Sequence, residues 1–559
     1  MFTMQLPKLL GIFICFLCVS NIYAQVDYDE VKPVSNTYFI DSINVYSHDQ
    51  GVMENMQILI KNGIIQDLGS SIIKPYDAIQ IKGDSMFAYP AFIDALSHTG
   101  LKKEEEKKEK IKVRFPGKPG DLIAGVTPYK SIDSDFNKGD KSLENYRKAG
   151  YAVSHVVPKG KMLPGKGSLV LLKSDKEGNP YLKKDISTFA QFEPASGVFP
   201  STVIGVISRF KELHRSTDYK LKHREAFDNA TGVQRPQFSK AEEAFSSVVN
   251  GSENLYFKAN NHKDISRAIK LKDELGFNLI LADVQQAWLA NEKIKAGNIP
   301  VILSLKLPEE MKEEKVDSTK EISAEKEGLQ ARQKKSYTDY MNQALSFEKA
   351  NMPFSFSSIS VKANDIKKSL KRIVDTGVKE STVFSALTEN PAKLLGIDNL
   401  TGSLERGKLA NLIICTKSFF DEASKIKYCF VEGEKSEFDT SEKKKKKSSG
   451  ESQEIAGTWT FESNIMGMNQ AGNIIISGNK EDGYKVKVES NEDPGEFEDG
   501  KDINYDANEL SFSMTVESEG GNLPITFTMS FDGEDYTGKL SVGDFGSFPV
   551  EGSRTKKPE

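Results

Sequence analysis

Most of the chain alternates short apolar runs with amphipathic stretches. The runs at 279–282 and 299–305 have the length of strands, and apolar residues recur at helical spacing over 264–275 and 284–296. Such alternation with short turns predicts β-α-β units, and hence a parallel sheet that is either open or closed into a barrel. The other predicted strands are 38–45, 56–60, 64–68, 78–81, 88–93, 151–157, 168–172, 410–415 and 428–432, and a further helix is predicted over 381–395.

The C-terminal region shows a different pattern. Over 510–516 and 525–531, apolar residues alternate with polar ones. A period of two predicts antiparallel strands with one buried face, so we expect a separate all-β domain over 454–559. The aromatic residues expected in its core are Trp459, Phe461, Phe512, Phe527 and Phe531.

A lysine-rich segment separates the two patterns. Residues 438–453 contain five consecutive Lys followed by Ser and Gly, so we expect a poorly ordered linker that buries no core. An anchor to an anionic surface is the alternative. Two more charge runs, 102–112 and 308–335, interrupt the α/β pattern, and the second is expected to be an exposed helix or a mobile insertion.

The N-terminus has the pattern of a secretory signal peptide. Lys8 precedes an apolar run over 9–19, and Ala24 ends a plausible cleavage site, so residues 1–24 are predicted to be removed. An uncleaved membrane anchor is the alternative, although the run is short for a bilayer. Lipidation is not expected, because Cys15 and Cys18 lack a small preceding residue. The mature protein is therefore expected to be periplasmic or secreted, without an integral membrane span.

Charge and cysteine content narrow the function. The 559 residues include 75 Lys and Arg against 80 Asp and Glu, a net charge of -5, which provides no basic field for nucleic acid. Only Cys415 and Cys429 remain after signal cleavage. They are expected to form either one disulfide or two buried free thiols, and neither reading predicts a nucleophile.

Two segments about 290 residues apart carry a family resemblance. The first segment consists of ILIKNGIIQDLG and, shortly after it, YPAFIDALSH at 89–98. The second segment is ALTENPAKLLGIDNLTGSLERGKLANLIIC at 386–415. In this order they resemble the amidohydrolase superfamily, and its imidazolonepropionase-like exported members in particular. The resemblance implies a (β/α)8 TIM-like barrel over 91–399. It also implies a composite β-sandwich built from 25–90 and 400–437.

The resemblance also implies a site at the C-terminal ends of the barrel strands, where one or two divalent metals activate water. The expected ligands are two His in an HxH motif after the first strand, a Lys or Glu after the fourth, His after the fifth and sixth, and Asp after the eighth. This chain departs from that set, and only His98 remains as a candidate metal ligand. The residues at or near the other expected positions are Leu96, Lys258, Asn260, His262, Asp283, Ser357 and Ser358.

Three functions are consistent with these observations. The first is a degenerate amidohydrolase that binds a small-molecule or envelope ligand, or a partner such as a related amidohydrolase subunit or a second copy, without a cofactor. The second is an active hydrolase of cyclic amide or dipeptide-like C–N bonds that uses a single divalent metal such as zinc, held by His98, Asp94 and Asp283. The third is a carbohydrate-binding or envelope-binding protein in which the C-terminal β-domain is the functional part and the barrel is a scaffold. His48, His155, His214 and His223 are expected to be surface or satisfied core residues.

Overall fold

The computed structural model describes eleven stretches of the chain. They are 36–102, 113–174, 178–311, 324–440, 454–465, 468–479, 482–491, 495–506, 508–518, 521–543 and 546–556. The predicted signal peptide, most of the first charge run and most of the linker lie outside these residues. The chain divides into two compact units, 1–440 and 441–559.

The first unit contains sixteen strands among its described residues, and they build two sheets. They are β1 (Thr37–Ser47), β2 (Gly51–Lys61), β3 (Ile64–Gly69), β4 (Ile79–Lys82), β5 (Phe87–Pro90), β6 (Phe92–Ser97), β7 (Tyr151–Val156), β8 (Gly165–Leu171), β9 (Tyr181–Gln191), β10 (Leu255–Lys258), β11 (Leu279–Val284), β12 (Val301–Ser304), β13 (Phe354–Ser357), β14 (Leu412–Cys415), β15 (Ile426–Val431) and β16 (Glu434–Glu437).

Helices lie between most of the later strands. They are α1 (Asp121–Ala124), α2 (Lys141–Lys148), α3 (Val203–Asn229), α4 (Lys240–Val249), α5 (His262–Leu275), α6 (Asn291–Ala296), α7 (Ala324–Met341), α8 (Gln343–Lys349), α9 (Ile366–Val374), α10 (Glu380–Leu387) and α11 (Glu389–Leu394). The helix predicted over 284–296 is wrong in its first half, because β11 extends to Val284 and the helix begins at Asn291. No helix in the described residues is long and apolar enough to span a membrane.

One sheet joins the two flanks of the barrel region. Its order is β16-β15-β14-β5-β1-β2-β3, with β4 also paired to β1, and Pro90 of β5 lies opposite Leu412 of β14. The rings of Tyr38 and Phe430 meet at 5.3 Å although two strands separate β1 from β15. Neighbouring strands are about 4.8 Å apart, so this contact requires the sheet to curl over its own core. The sequence predicts a composite β-sandwich built from both flanks, and strands of both flanks share this one curled sheet and its core.

The second sheet has the order β13-β12-β11-β10-β9-β8-β7-β6. β8 runs antiparallel to both neighbours, and the remaining pairs are parallel. Ser357 Oγ on β13 donates to the carbonyl of Leu96 on β6 at 3.0 Å, so the edge strands approach each other and the sheet is nearly closed. The eightfold β/α repeat of the prediction is therefore interrupted at β7–β9, where the connections are too short for the crossover helix that parallel strands need.

Local signals place α5 directly after β10. The Asn261 side chain accepts a hydrogen bond from Asp264 N at 3.1 Å and so caps the helix, which ends at Gly276 with φ 83°. Ile265 and Ile269 on its inner face are buried against the sheet. This short β-to-α junction holds the residues that follow β10 at the C-terminal end of the sheet.

The two cysteines lie on adjacent strands of the curled sheet. Cys415 pairs with Ile426 and Cys429 with Ile413, so they are not opposite each other in the register. Both are free, buried thiols, and burial raises the pKa of each to about 12. A thiol with so high a pKa is a poor nucleophile, which agrees with the expectation from the sequence.

The second unit is all-β in its described residues. Its strands are β17 (Gly457–Ile465), β18 (Met468–Asn479), β19 (Gly483–Ser490), β20 (Glu498–Asp499), β21 (Lys501–Asp506), β22 (Glu509–Ser518), β23 (Gly521–Asp532), β24 (Asp535–Val542) and β25 (Gly546–Lys556). The order is β20-β19-β18-β17-β25-β24-β23-β22-β21, and its end strands are consecutive in the chain, so the sheet returns on itself. The five aromatic residues expected in the core are all buried there, as predicted.

We predict that a fragment beginning at Gln453 folds without the first unit. Its interior contains its own apolar cluster, with Trp459 fully buried against Phe531 at a ring distance of 4.7 Å. Circular dichroism of the fragment is expected to show a β spectrum and a cooperative thermal transition. An unfolded spectrum would contradict both the boundary and the independence of this core.

Candidate functional site

The candidate site is the barrel mouth, which we define as the C-terminal ends of β6, β10, β11 and β13 with the residues that follow them. Asp94 and Leu96 lie on β6 and His98 directly follows it, and the register of β6 with β7 shifts between Asp94 and Ser97. On β10, Tyr256 contacts the His155 ring of β7 at 4.7 Å and therefore points into the barrel. Lys258 is two residues further along and points the same way.

His98 is half-buried at the end of β6. Its Nδ1 lies 2.8 Å from the carbonyl oxygen of Val157, and since a carbonyl can only accept, Nδ1 carries the proton. Burial, aided by the charges of Lys258 and Lys159, lowers the pKa of His98 to about 4, although the hydrogen bond to Val157 opposes this decrease. The imidazole is therefore neutral at pH 7, with its lone pair on Nε2.

Asp94 is fully buried and held by the end of β13. Its Oδ1 accepts from Ser358 N at 3.2 Å and from Leu96 N at 3.3 Å, while Ser358 Oγ donates to Oδ2. The Tyr146 hydroxyl lies 2.8 Å from Ser358 Oγ. Burial raises the pKa of Asp94 to about 7. These hydrogen bonds connect β6 to β13. They occupy the carboxylate of Asp94, which the sequence suggests as an alternative metal ligand.

The serines at the expected eighth-strand Asp position are also engaged. Ser357 Oγ donates to the Leu96 carbonyl, and Ser358 binds Asp94. Leu96 itself is fully buried, and its side chain has no atom that can coordinate a metal. The first-strand position at Leu96 and the eighth-strand position at Ser357 and Ser358 therefore hold residues whose hydrogen bonds connect the edge strands of the barrel.

Asp283 occupies the end of β11 in a left-handed conformation with φ 52°. Its Oδ2 accepts from Asn260 Nδ2 at 2.9 Å and from Ser360 Oγ at 2.8 Å. Its Oδ1 is buried and has no hydrogen-bond partner among the described residues. Burial raises the pKa of Asp283, and the Ser304 side chain, followed by the charge of Lys258, opposes this increase most strongly. A non-glycine residue at positive φ with an unsatisfied buried oxygen is typical of a functional site.

Some residues of the mouth were not predicted as site residues. Ser360 and the Val157 carbonyl complete the hydrogen bonds of Asp283 and His98. Ser360 lies in the turn after β13, and no pattern in the sequence indicates its contact with Asp283. Nothing in the sequence indicates that the Val157 carbonyl faces His98, because the contact joins two different strands.

The remaining histidines have other environments. His155 is a buried core residue with hydrogen-bond partners for both ring nitrogens, which is one of the two environments that the sequence predicts for it. Its Nδ1 is 2.9 Å from the Ala95 carbonyl and its Nε2 is 2.7 Å from Ser187 Oγ. His48 contacts Thr388 and Ser385, whereas His262 is exposed at the start of α5. The prediction for His214 is wrong, because this residue is buried and its Nε2 has no hydrogen-bond partner among the described residues.

The donor set of the mouth does not fit the divalent metal that the resemblance implies. A metal centre needs three or four convergent nitrogen or oxygen donors. In the part of the chain that the structure describes, no group of three or more His, Cys, Asp and Glu side chains is arranged to hold one. The mouth instead combines one imidazole and one constrained carboxylate with the ammonium group of Lys258, which repels a cation.

Comparisons with known proteins bear on the family. The model of the amidohydrolase family matches residues 308–436. An amidohydrolase from Thermotoga maritima MSB8 shares 21% identity and a TM-score of 0.57, over 71% of this chain and 99% of that one. A Xaa-Pro dipeptidase with bound methionine shares 15% identity over 72% of this chain and 100% of its own, with a TM-score of 0.43.

No curated protein matches the chain. The likeness to the Thermotoga structure supports a TIM-barrel fold with an attached β-domain. The family match over the last part of the first unit and this shared fold support a relationship to the amidohydrolase superfamily.

Proposed function

We propose that this chain is an exported, degenerate member of the amidohydrolase superfamily that binds a small ligand at the barrel mouth without metal-dependent hydrolysis. The observation that carries the proposal is Lys258. It ends β10, where the resemblance implies an imidazole ligand, and its charge acts on both His98 and Asp283. An ammonium group among the remaining donors opposes a divalent cation and favours a ligand of opposite charge.

The export, the ligand and the assembly belong to the same proposal. The signal-peptide pattern supports a periplasmic or secreted protein. The ligand is a small molecule or a component of the cell envelope, and a related amidohydrolase subunit or a second copy of the chain is the proposed protein partner.

The proposal predicts that the purified protein contains far less than one divalent metal ion per chain and hydrolyses cyclic amides and dipeptides no faster than buffer. Elemental analysis and a substrate panel measure both. Replacement of His98 with Ala is expected to lower the free energy of unfolding by about 1 kcal/mol through loss of the Val157 hydrogen bond, without changing metal content. The exposed His262→Ala is the matched control.

One zinc, iron or manganese ion per chain that is lost in His98→Ala but kept in His262→Ala would contradict the proposal. That result would favour a second candidate, an active hydrolase of non-peptide C–N bonds with an atypical ligand set. The observation in its favour is the unsatisfied Oδ1 of Asp283, which together with His98 Nε2 offers two donors. Zinc held there would supply a Lewis acid, and the two residues would orient it.

A further inference from the structure

A cavity of about 420 Å³ opens at the end of the barrel opposite the mouth. It is lined by Val301 and Phe354, the first residues of β12 and β13, and by Phe347 of α8. These strands end at the mouth, so their first residues lie on the other side of the barrel. A volume of this size falls within the range of about 300–1,000 Å³ that is typical of small-molecule sites. The cavity is therefore a candidate site that is separate from the mouth.

The floor of this cavity is apolar. It contains the buried side chains of Ile294, Val301, Phe347 and Phe354. The carbonyl of Phe354 accepts a hydrogen bond from Asn390 Nδ2 at 2.8 Å, so this polar atom of the floor already has a partner. Burial of hydrocarbon against such a surface removes apolar area of both partners from water. The floor therefore favours a ligand with a hydrocarbon group.

The rim of the cavity is positively charged. Lys295 and Lys393 line it and are exposed, and none of the described residues that line the cavity is acidic. Lys295 Nζ donates to the Ala350 carbonyl at 3.2 Å and keeps two further N–H donors, and no carboxylate oxygen in the described part of the chain lies within 4.0 Å of it. Lys393 Nζ lies 3.6 Å from Glu389 Oε2, but the two side chains are 64% and 31% exposed, so solvent weakens this pair. Both ammonium groups can therefore interact with an anion.

We propose that this cavity binds a single-chain fatty acid, with the hydrocarbon chain on the apolar floor and the carboxylate at Lys295 and Lys393. An apolar floor below a cationic rim is complementary to a chain that ends in one anionic group. A neutral chain forms no charge-assisted hydrogen bond with the rim, and a cationic chain is repelled by it. The site goes beyond the proposed function and does not depend on it, because none of the residues that line the cavity belongs to the mouth.

Isothermal titration calorimetry of the full mature chain tests this with hexanoate, octanoate and decanoate, each below its critical micelle concentration. We expect the affinity to rise about fourfold for each added methylene group, because each one is buried on the floor. Decanoate is expected to bind about fivefold or more tightly than decan-1-ol, because the alcohol lacks the charge that the rim recognises. Decyltrimethylammonium is expected to bind more weakly than the alcohol.

Two variants place the ligand in this cavity. Lys295→Glu is expected to weaken decanoate about fivefold or more and to leave decan-1-ol unchanged. Lys293→Glu is the matched control, because Lys293 is an exposed lysine of the same helix that does not line the cavity. Met352→Asp changes a half-buried residue of the lining and is expected to weaken both decanoate and decan-1-ol. Thermal unfolding verifies that each variant is folded, and Lys295→Glu changes an exposed side chain, so it still tests the site if Met352→Asp unfolds.

The inference is wrong if decanoate binds no more tightly than decan-1-ol, or if the affinity does not rise with chain length. It is also wrong if Lys293→Glu and Lys295→Glu weaken decanoate equally. Sedimentation equilibrium tests a second copy of the chain as the occupant. Self-association that Met352→Asp abolishes, without binding of decanoate to the wild type, would assign the cavity to an interface between copies and overturn the inference.

Discussion

Replacement of Lys166 with Ala is expected to lower the free energy of unfolding of the first unit by roughly 3 kcal/mol. Glu253 accepts hydrogen bonds from Lys166, from Thr188 Oγ1 at 2.6 Å and from the Ser247 hydroxyl, and it is largely buried between β9 and α4. Removal of the ammonium group leaves a charged carboxylate that is only partly compensated. Urea denaturation followed by helical circular dichroism measures the effect, because the described helices all lie in the first unit.

The control is Lys161→Ala, which removes a second lysine–glutamate pair of the same unit. Lys161 Nζ lies 3.2 Å from Glu193 Oε1, and the two side chains are 40% and 53% exposed. Solvent screens such a pair, so the expected loss is under about 1 kcal/mol. Equal losses for the two variants would show that burial of the Lys166–Glu253 pair does not determine its importance.

Acid is expected to destabilise the first unit through His155. Burial lowers the pKa of His155 from 6.5 to about 4, so the folded state keeps the imidazole neutral where the unfolded chain protonates it. Its contribution to stability is therefore complete above pH 6.5 and is lost as the pH falls from 6.5 through about 4. The loss is roughly 3 kcal/mol by the time the pH reaches the folded-state pKa.

His155→Gln tests this assignment. Glutamine is uncharged and retains a donor and an acceptor for Ala95 and Ser187. Urea denaturation above pH 6.5 and near pH 4 is expected to show that the variant loses roughly 3 kcal/mol less than the wild type over this interval. If the difference in free energy of unfolding between wild type and variant is the same at both pH values, groups other than His155 cause the acid sensitivity.

Local sequence patterns were sufficient to predict those features of the structure that depend on residues close together in the chain. The alternation over 510–516 and 525–531 determined which side chains fill the core of the second unit, because a period of two places them on one face in any sheet. Likewise, the helical spacing of apolar residues over 264–275 predicted the helix that the structure shows as α5. His98 was found as a candidate ligand because its motif lies within one strand and the residue after it.

Only the tertiary structure decided the direction of β8 and the curling of the first sheet. Strand direction depends on which distant strands pair, and the apolar run at 168–172 is compatible with either direction. The same holds for the β-structure that the residues of both flanks predict, because the sequence does not determine that its strands join in one curled sheet.

The sequence by itself determined that the mouth lacks most of the implied metal ligands, since residue identity excludes Leu96 and the serines as replacements. What these residues do instead was decided by the fold. Ser358 meets Asp94 across 264 positions of sequence, and Asp283 meets Ser360 across 77. Hydrogen bonding, burial and the charge of Lys258 act through space, and so the state of each group in the mouth depends on strands that are distant in the chain.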